Sequence, residues 1–306
     1  VKITVLGDLM LDLYYHGEVV KPNPESNGDV IRVSRTARQL GGAAAVGMLC
    51  QCLGAEATIG GVLGGDPFGT TLRTLLERQF SWRVLVTHRT EEVTTTKIRT
   101  LVDGRLRPDR IDVEQLTAPK ICDAFYEAPL GDLVVVQDYG KGVITEGSMN
   151  VLRMRCEKHG VPFIVDPSKH ADWSIYRGAT LIKANLAEAK AAAGPHILPR
   201  DCAPQLARKY ETSVVVTFGP NGMAWDTGVR GGSVPAVLPD AVRDACGCGD
   251  TVIATLAVAL ARGLTIERAC ELAAVTASQQ VSQFGVGYIS CEELLHATTP
   301  PIERVG

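Results

Sequence analysis

Short apolar runs rich in β-branched residues, each closed by a polar residue, recur along this 306-residue chain and restrict its fold more than any other feature. They are Ile3–Leu6, Leu133–Val136, Phe163–Val165, Leu181–Ile182 and Val214–Val216. Strands apolar on both faces belong in a parallel sheet covered by helices on either side. Intervening stretches such as Gly147–His159 and Leu186–Ala193 have helical composition, so the chain reads as βαβ units in an α/β architecture. Asp8, Asp138, Asp166, Asn185 and Thr217 stand at or just past the ends of the five runs. Ligands of open α/β sheets bind along that edge, so these polar groups converge on one crevice. Any one of them is more often a cap for the following helix than a ligand; five together favour a site.

Two segments break the alternation. Residues 13–36 carry Pro22, Pro24 and Gly28 between expected strands Tyr14–Val20 and Asp29–Ser34. Residues 93–112 carry a Thr-rich strand, Val93–Val102, then Asp103-Gly104 and a further strand. Asp-Gly between two such runs marks a hairpin. Both segments read as a small β-layer placed as a lid over the crevice. No linker, repeat or low-complexity tract intervenes, so residues 1–306 read as one domain. A 45% apolar and 21% charged composition is that of an ordinary soluble globular protein. The net charge of −3 and the absence of a basic block argue against nucleic acid as partner. No apolar run reaches membrane-spanning length, and Val1–Val5 reads as a strand rather than a signal peptide. Nine irregularly spaced cysteines read as reduced thiols of a cytoplasmic protein. Cys50-Gln-Cys52 and Cys246-Gly-Cys248 lack partners at zinc-site spacing.

The strongest local signal is Asp244-Ala245-Cys246-Gly247-Cys248-Gly249-Asp250-Thr251, followed at once by the apolar helix Val252–Ala261. Gly247 and Gly249 let consecutive N–H groups turn inward, and a helix N-terminus adds unpaired donors and a positive dipole end. Such a cradle, with Cys248 contributing its amide, suits the charge on a phosphoryl group in flight. Asp250 at the helix start would be kept ionised by the dipole, ready to take a proton from an attacking hydroxyl. On these eight residues alone, a glycine-rich turn with Asp250 as helix cap explains the pattern equally well.

This segment resembles the C-terminal signature of the PfkB, or ribokinase-like, carbohydrate kinases, D-T-x-G-A-G-D, in which the last Asp is the catalytic base. Asp244, Gly247, Gly249 and Asp250 match, while Ala245 and Cys248 replace the usual Thr and Ala. Gly41-Gly42-Ala43-Ala44 is similar to the N-terminal signature and is followed by Leu53-Gly54 and Gly64-Gly65-Asp66-Pro67-Phe68-Gly69. Asn185-Leu186-Ala187-Glu188 resembles the N-x-x-E motif, and Thr217-Phe218-Gly219-Pro220-Asn221-Gly222 the T-x-G-x-x-G nucleotide loop. The resemblance implies a three-layer α/β/α sandwich with a small β-lid that uses ATP and Mg2+. Lys183, Asn185, Thr217, Gly219 and Gly222 would bind the nucleotide, and Asn185 and Glu188 would organise magnesium, largely through water. The i, i+3 spacing of Asn185 and Glu188 allows both to point one way, and oxygen ligands suit magnesium. Without that context Glu188 is equally a first-turn surface carboxylate.

Within the family the likeness is to the heptose 7-phosphate kinases of the ADP-heptose pathway. It rests on Gly7-Asp8-Leu9-Met10-Leu11-Asp12-Leu13-Tyr14, Pro24-Glu25, Val30–Val33, Thr95-Thr96-Lys97-Ile98-Arg99 and Arg110-Ile111-Asp112. Asp138-Tyr139-Gly140-Lys141-Gly142 and Val165-Asp166-Pro167, with Asp172-Trp173, extend it. The sugar would then lie near Asp8, Asp12, Gly41, Gly42, Lys97, Asp138 and Lys141, with Lys97, Arg99 or Lys141 neutralising a substrate phosphate. For Arg99 a solvated charge is the favoured reading. The usual Asn after the Gly-Gly pair is Ala45, the opening Arg is Leu13, and Ala274 replaces an Asn near adenine. A site that loses hydroxyl-binding partners loses discrimination, so a nucleoside or vitamin-alcohol kinase and a silent sugar-binding regulator stay open. Only the kinase half of that pathway's bifunctional enzyme is expected here. Pairing of two copies through the lid is the family's frequent arrangement. Dinucleotide binding is disfavoured, because no Gly-x-Gly-x-x-Gly follows the first strand.

Overall fold

The computed structural model describes residues 1–80, 83–115, 121–239 and 241–296. In chain order the elements begin β1 (Lys2–Gly7), β2 (Leu9–Pro22), β3 (Asp29–Gly42), α1 (Ala43–Cys52), β4 (Glu56–Gly64) and α2 (Pro67–Phe80). Then come β5 (Val84–Arg89), β6 (Thr96–Val102), β7 (Arg105–Val113), α3 (Ala124–Glu127), β8 (Leu133–Gln137) and α4 (Glu146–His159). After these lie β9 (Phe163–Asp166), β10 (Leu181–Asn185), α5 (Leu186–Ala193), α6 (Pro199–Tyr210) and β11 (Ser213–Thr217). The described chain closes with β12 (Met223–Asp226), β13 (Gly231–Val234), α7 (Cys248–Ala261), α8 (Ile266–Val281) and α9 (Glu292–His296).

Side chains alternate across a strand, and here the two faces feed two cores. Ile3 and Val5 of β1, Val135 of β8 and Val215 of β11 pack with α1, α2, α7 and α8. Leu6, Val134, Val136, Val214 and Val216 pack with α3, α4, α5 and α6 on the other face. The sheet between them runs β13-β12-β11-β10-β9-β8-β1-β4-β5, parallel from β11 to β5, with β12 and β13 antiparallel at one edge. This is the α/β/α sandwich that the resemblance implies. Over Val252–Ala259 helix α7 is buried on every side, apolar except for Thr255, whose hydroxyl bonds the Thr251 carbonyl at 2.8 Å.

A second sheet, ordered β3-β2-β6-β7, is made of the two anomalous segments. Its strands differ from the sequence expectation at their inner ends. β2 already starts at Leu9 and β3 continues to Gly42, so both are rooted in the main core rather than stopping short of it at residues 14 and 34. Gly42 makes this possible: its φ is 58°, and a Cβ there would lie 2.3 Å from the Asp8 carbonyl oxygen. Conversely, Val93–Thr95 stay outside β6. Thr94 instead ties the β4–α2 turn, accepting from the Gly64 amide at 2.9 Å and donating its own amide to Asp66 Oδ2 at 3.2 Å. The Asp103-Gly104 hairpin forms as expected, with φ of 50° and 75°.

Candidate active site

The register of the sheet sets Gly7 level with Gln137 and Gln137 level with Asp166, while Asn185 aligns with Thr217. The strand ends thus form one ledge. Buried helix α7 brings its first turn to that ledge, and Gln137 Nε2 donates to Asp250 Oδ1 at 3.0 Å. The Tyr139 hydroxyl donates to the same oxygen at 2.7 Å. No donor among the described residues reaches Oδ2. Asp250 is only 6% exposed, and burial pushes its carboxyl up to about 6. The Tyr139 bond, Lys183 and Lys97 pull it down, and Asp166 pushes it further up. Burial thus opposes the ionisation expected from the helix dipole without abolishing it: a carboxyl at about 6 is still mostly ionised at neutral pH.

Beneath this turn lies a buried ion pair. Lys183, 3% exposed, donates to Asp166 Oδ2 at 2.8 Å, and Gln137 Nε2 reaches that oxygen at 3.1 Å. Burial works against the ammonium, but Asp166, Glu188 and Asp250 together outweigh it and its pKa rises. Lys183 Nζ would sit 3.1 Å from a Cβ on Gly249, so the cation lies against the glycine turn. It is thus bound to a carboxylate first, and could meet a phosphate only from its remaining side. Gly247, with φ 77°, begins the helix, and a Cβ there would lie 2.7 Å from Val286 Cγ2. The Cys248 amide makes only a long bond to Ala245 O, 3.4 Å, and those of Gly249 and Asp250 find no acceptor among the described residues. Burial raises the Cys246 and Cys248 thiols to about 11 and 12, so Cys248 offers its amide, not a thiolate. All nine cysteines are free.

On the lid side several expectations change. Arg99 is not solvated: its guanidinium bonds Asp12 Oδ1 at 2.6 Å, the two side chains being 11% and 7% exposed, and lies 5.5 Å over the Tyr14 ring. Asp12 Oδ2 faces Gly41, where a Cβ would approach within 2.6 Å. Asp12 thus keeps one oxygen for a ligand. Asp138 has both oxygens engaged, by Tyr176 Oη at 2.5 Å and the Gly140 amide at 2.7 Å, and so shapes its loop. Asp8 Oδ2 accepts from the amides of Tyr139 and Lys141 at 2.8 and 3.1 Å; its Oδ1 is buried without a partner. Burial, reinforced by Asp138, raises the Asp8 carboxyl to about 6. Lys141 is ion-paired with Glu114. Lys97, whose Nζ stacks 4.7 Å over the Tyr139 ring, has no carboxylate at ion-pair distance among the described residues.

At the other end of the ledge Asn185 caps α5. Its side chain accepts from the Glu188 amide at 3.0 Å, and the Glu188 carboxylate in return accepts from the Asn185 backbone amide at 2.8 Å and its side-chain Nδ2 at 2.5 Å. The pair is a reciprocal capping box, so the structural role is real. Burial and then Asp166 raise the Glu188 carboxyl. Two neighbouring carboxylates that repel each other are a donor set a hydrated magnesium ion would relieve, although no three such side chains converge among the described residues. Thr217 ends β11, and the turn after it closes with Phe218 N bonding Gly222 O at 2.8 Å. Gly219 borders open space, where a nucleotide could approach its backbone. A groove of about 720 Å³ lined by Pro204, Phe218, Asn221 and Trp225 borders the turn after β11 and contains none of the carboxylates described above.

Sequence reasoning gave no role to Gln137, Tyr139 or Tyr176. Gln137 was legible as a further polar residue closing a strand; the hydroxyls arrive from loops and carry no local signal.

A family model described as pfkB family carbohydrate kinase matches residues 2–293. The chain is 34% identical to the bifunctional protein HldE of Gluconobacter oxydans over 96% of its own length and 63% of that protein. Against the same-named protein of Caulobacter sp. the figures are 36%, 96% and 62%. It therefore spans less than two thirds of those relatives. Phosphofructokinase-2 from Escherichia coli, in complex with substrates and products, superposes with a TM-score of 0.76 at 19% identity, covering 97% of this chain and 98% of that one. Ribokinase from Thermotoga maritima does so at 0.72 and 17%, covering 96% and 98%.

Proposed function

Because the chain belongs to the pfkB family of carbohydrate kinases, we propose that it moves the γ-phosphoryl group of ATP to a hydroxyl of a sugar or sugar phosphate. One observation carries this reading: Asp250 stands in the first turn of α7 with both donors on Oδ1 and Oδ2 left open. Oδ2 takes the proton of the acceptor hydroxyl as its oxygen bonds to the γ-phosphorus, and the bond from phosphorus to the ADP oxygen breaks. The amides of Cys248, Gly249 and Asp250, with Lys183 behind them, hold the charge of the moving group. Thr217, Gly219 and Gly222 line the nucleotide's end of the ledge. Magnesium, held through water by Asn185 and Glu188, would neutralise phosphate charge. The second sheet acts as the lid and excludes water, the competing acceptor.

The sugar lies between Asp12, Gly41, Gly42 and Lys97. Heptose 7-phosphate is the acceptor suggested by the sequence resemblance. Lys97 is the cation best placed for its phosphate, since Arg99 and Lys141 already hold carboxylates. Leu13 and Ala45 are buried in the core, so neither replaces a lost polar contact. Pairing of two copies through the second sheet fits the exposed Val19, Val33 and Ile111 there. Among the described residues no helix is long and apolar enough to cross a membrane.

The test is ADP release with Mg-ATP across hexoses, heptose 7-phosphate, fructose 6-phosphate, nucleosides and vitamin alcohols. Turnover with a sugar or sugar phosphate is expected. Turnover only with a nucleoside or vitamin alcohol would overturn the acceptor class. Sugar binding without ADP release would overturn the kinase reading.

A further inference from the structure

The loop after β8 is pinned from beneath, and it delivers an aromatic hydroxyl to the base. Asp8 Oδ2 holds the amides of Tyr139 and Lys141, and Asp138 Oδ1 that of Gly140. From this anchored backbone the Tyr139 hydroxyl reaches Asp250 Oδ1 at 2.7 Å, shorter than the 3.0 Å bond from Gln137. Lys97 of β6 lies 4.7 Å above the same ring, so the second sheet meets the base through this side chain. Burial and then the neighbouring Asp250 raise the phenol's pKa, so the hydroxyl stays a donor at any working pH.

We propose that Tyr139 is a positioning residue for phosphoryl transfer: its bond to Oδ1 fixes the orientation of Asp250, leaves Oδ2 for the acceptor proton and favours the ionised carboxylate. This rests on Asp250 being the base. The groups facing Asp250 are Gln137 at the end of β8, Tyr139 on the loop after it, Asp166 of β9, Lys183 of β10, Lys97 of β6 and Cys248 in its own helical turn. Asp166 opposes ionisation, and the two lysines favour it from a distance. Tyr139 combines the shortest contact with a removable atom. A phenylalanine keeps the ring under Lys97 and the loop amides on Asp8, and deletes only the hydroxyl.

The experiment uses the full chain with aspartate labelled with 13C at the side-chain carboxyl. The Asp250 resonance is assigned by its absence from Asp250→Asn. In Tyr139→Phe its titration midpoint is expected to rise by about one pH unit relative to the unsubstituted chain, the effect of losing one hydrogen bond to a charged group. This readout needs no acceptor and decides the proposal whatever the sugar; an unchanged midpoint overturns it. In ADP release with heptose 7-phosphate, or the best acceptor of the panel, kcat should fall about tenfold at pH 7, about twofold of it from the smaller ionised fraction of Asp250, which pH 8.5 restores, and the rest from its lost orientation. KM for ATP should hold, and the deficit should shrink by pH 8.5. A deficit equal at all pH values would overturn the proposal, since a purely structural loss behaves so. Turnover by Asp250→Asn would instead remove the base assignment, a failure the 13C midpoint does not share.

Discussion

Replacing Arg99 by alanine removes one partner of an ion pair that the structure buries almost completely. Its guanidinium meets Asp12 at 2.6 Å with 11% and 7% of the two side chains exposed, so solvent screens it little. Removing one member leaves the Asp12 carboxylate desolvated and unpaired, a loss of about 3–5 kcal/mol. The contact with the Tyr14 ring goes as well, adding about 0.5–1 kcal/mol. For a chain of 306 residues the unfolding entropy is about 0.6 kcal/mol/K, so Tm should drop by about 6–10 °C. Differential scanning calorimetry measures it, and the Asp12→Ala, Arg99→Ala double mutant isolates the pair. The double variant should be less destabilised than the two single losses added together, because neither charge is then left alone. A loss below about 1 kcal/mol for Arg99→Ala, the range of exposed pairs, would refute the buried pair and the packed crevice wall built on it.

The acid limb of kcat/KM should fall with a midpoint near 6, because burial raises Asp250 to about 6 and only its ionised form accepts a proton; a pH-rate profile measures this. A raised carboxyl pKa favours the protonated fold, so this stability is fully present below the unfolded value of 3.8 and is lost as pH rises through about 6. At pH 7.5 ionised Asp250 then costs about 3 kcal/mol, and Asp250→Asn should raise Tm there while leaving it nearly unchanged at pH 4. Gly247→Ala should destabilise by about 1–3 kcal/mol in denaturant titration, since the residue sits at φ 77° with Val286 2.7 Å from the new methyl. It should also weaken turnover more than sugar binding, by displacing the cradle amides.

The parallel sheet was readable because strands buried on both faces must be apolar without interruption, whereas a half-exposed strand alternates; Leu133–Val136 and Val214–Val216 show it directly. Asp250 was readable because glycines on either side of a helix start constrain the backbone locally. Ranges of the second sheet were less so: β2 and β3 extend inward to Leu9 and Gly42 through a glycine contact with Asp8 that only the fold creates. The Arg99–Asp12 pair joins residues 87 positions apart, and Tyr139–Asp250 residues 111 apart, separations no local pattern encodes. For the same reason burial, which raises Asp250 against the helix dipole, was hidden in a motif that shows only the dipole.

Single-turnover phosphoryl transfer by Asp250→Asn, with ATP affinity measured by calorimetry on the same sample, tests the assigned base most directly. Transfer to the sugar should drop by about 10²–10⁴-fold while ATP binds as before. Transfer at the rate of the unsubstituted chain would contradict the account.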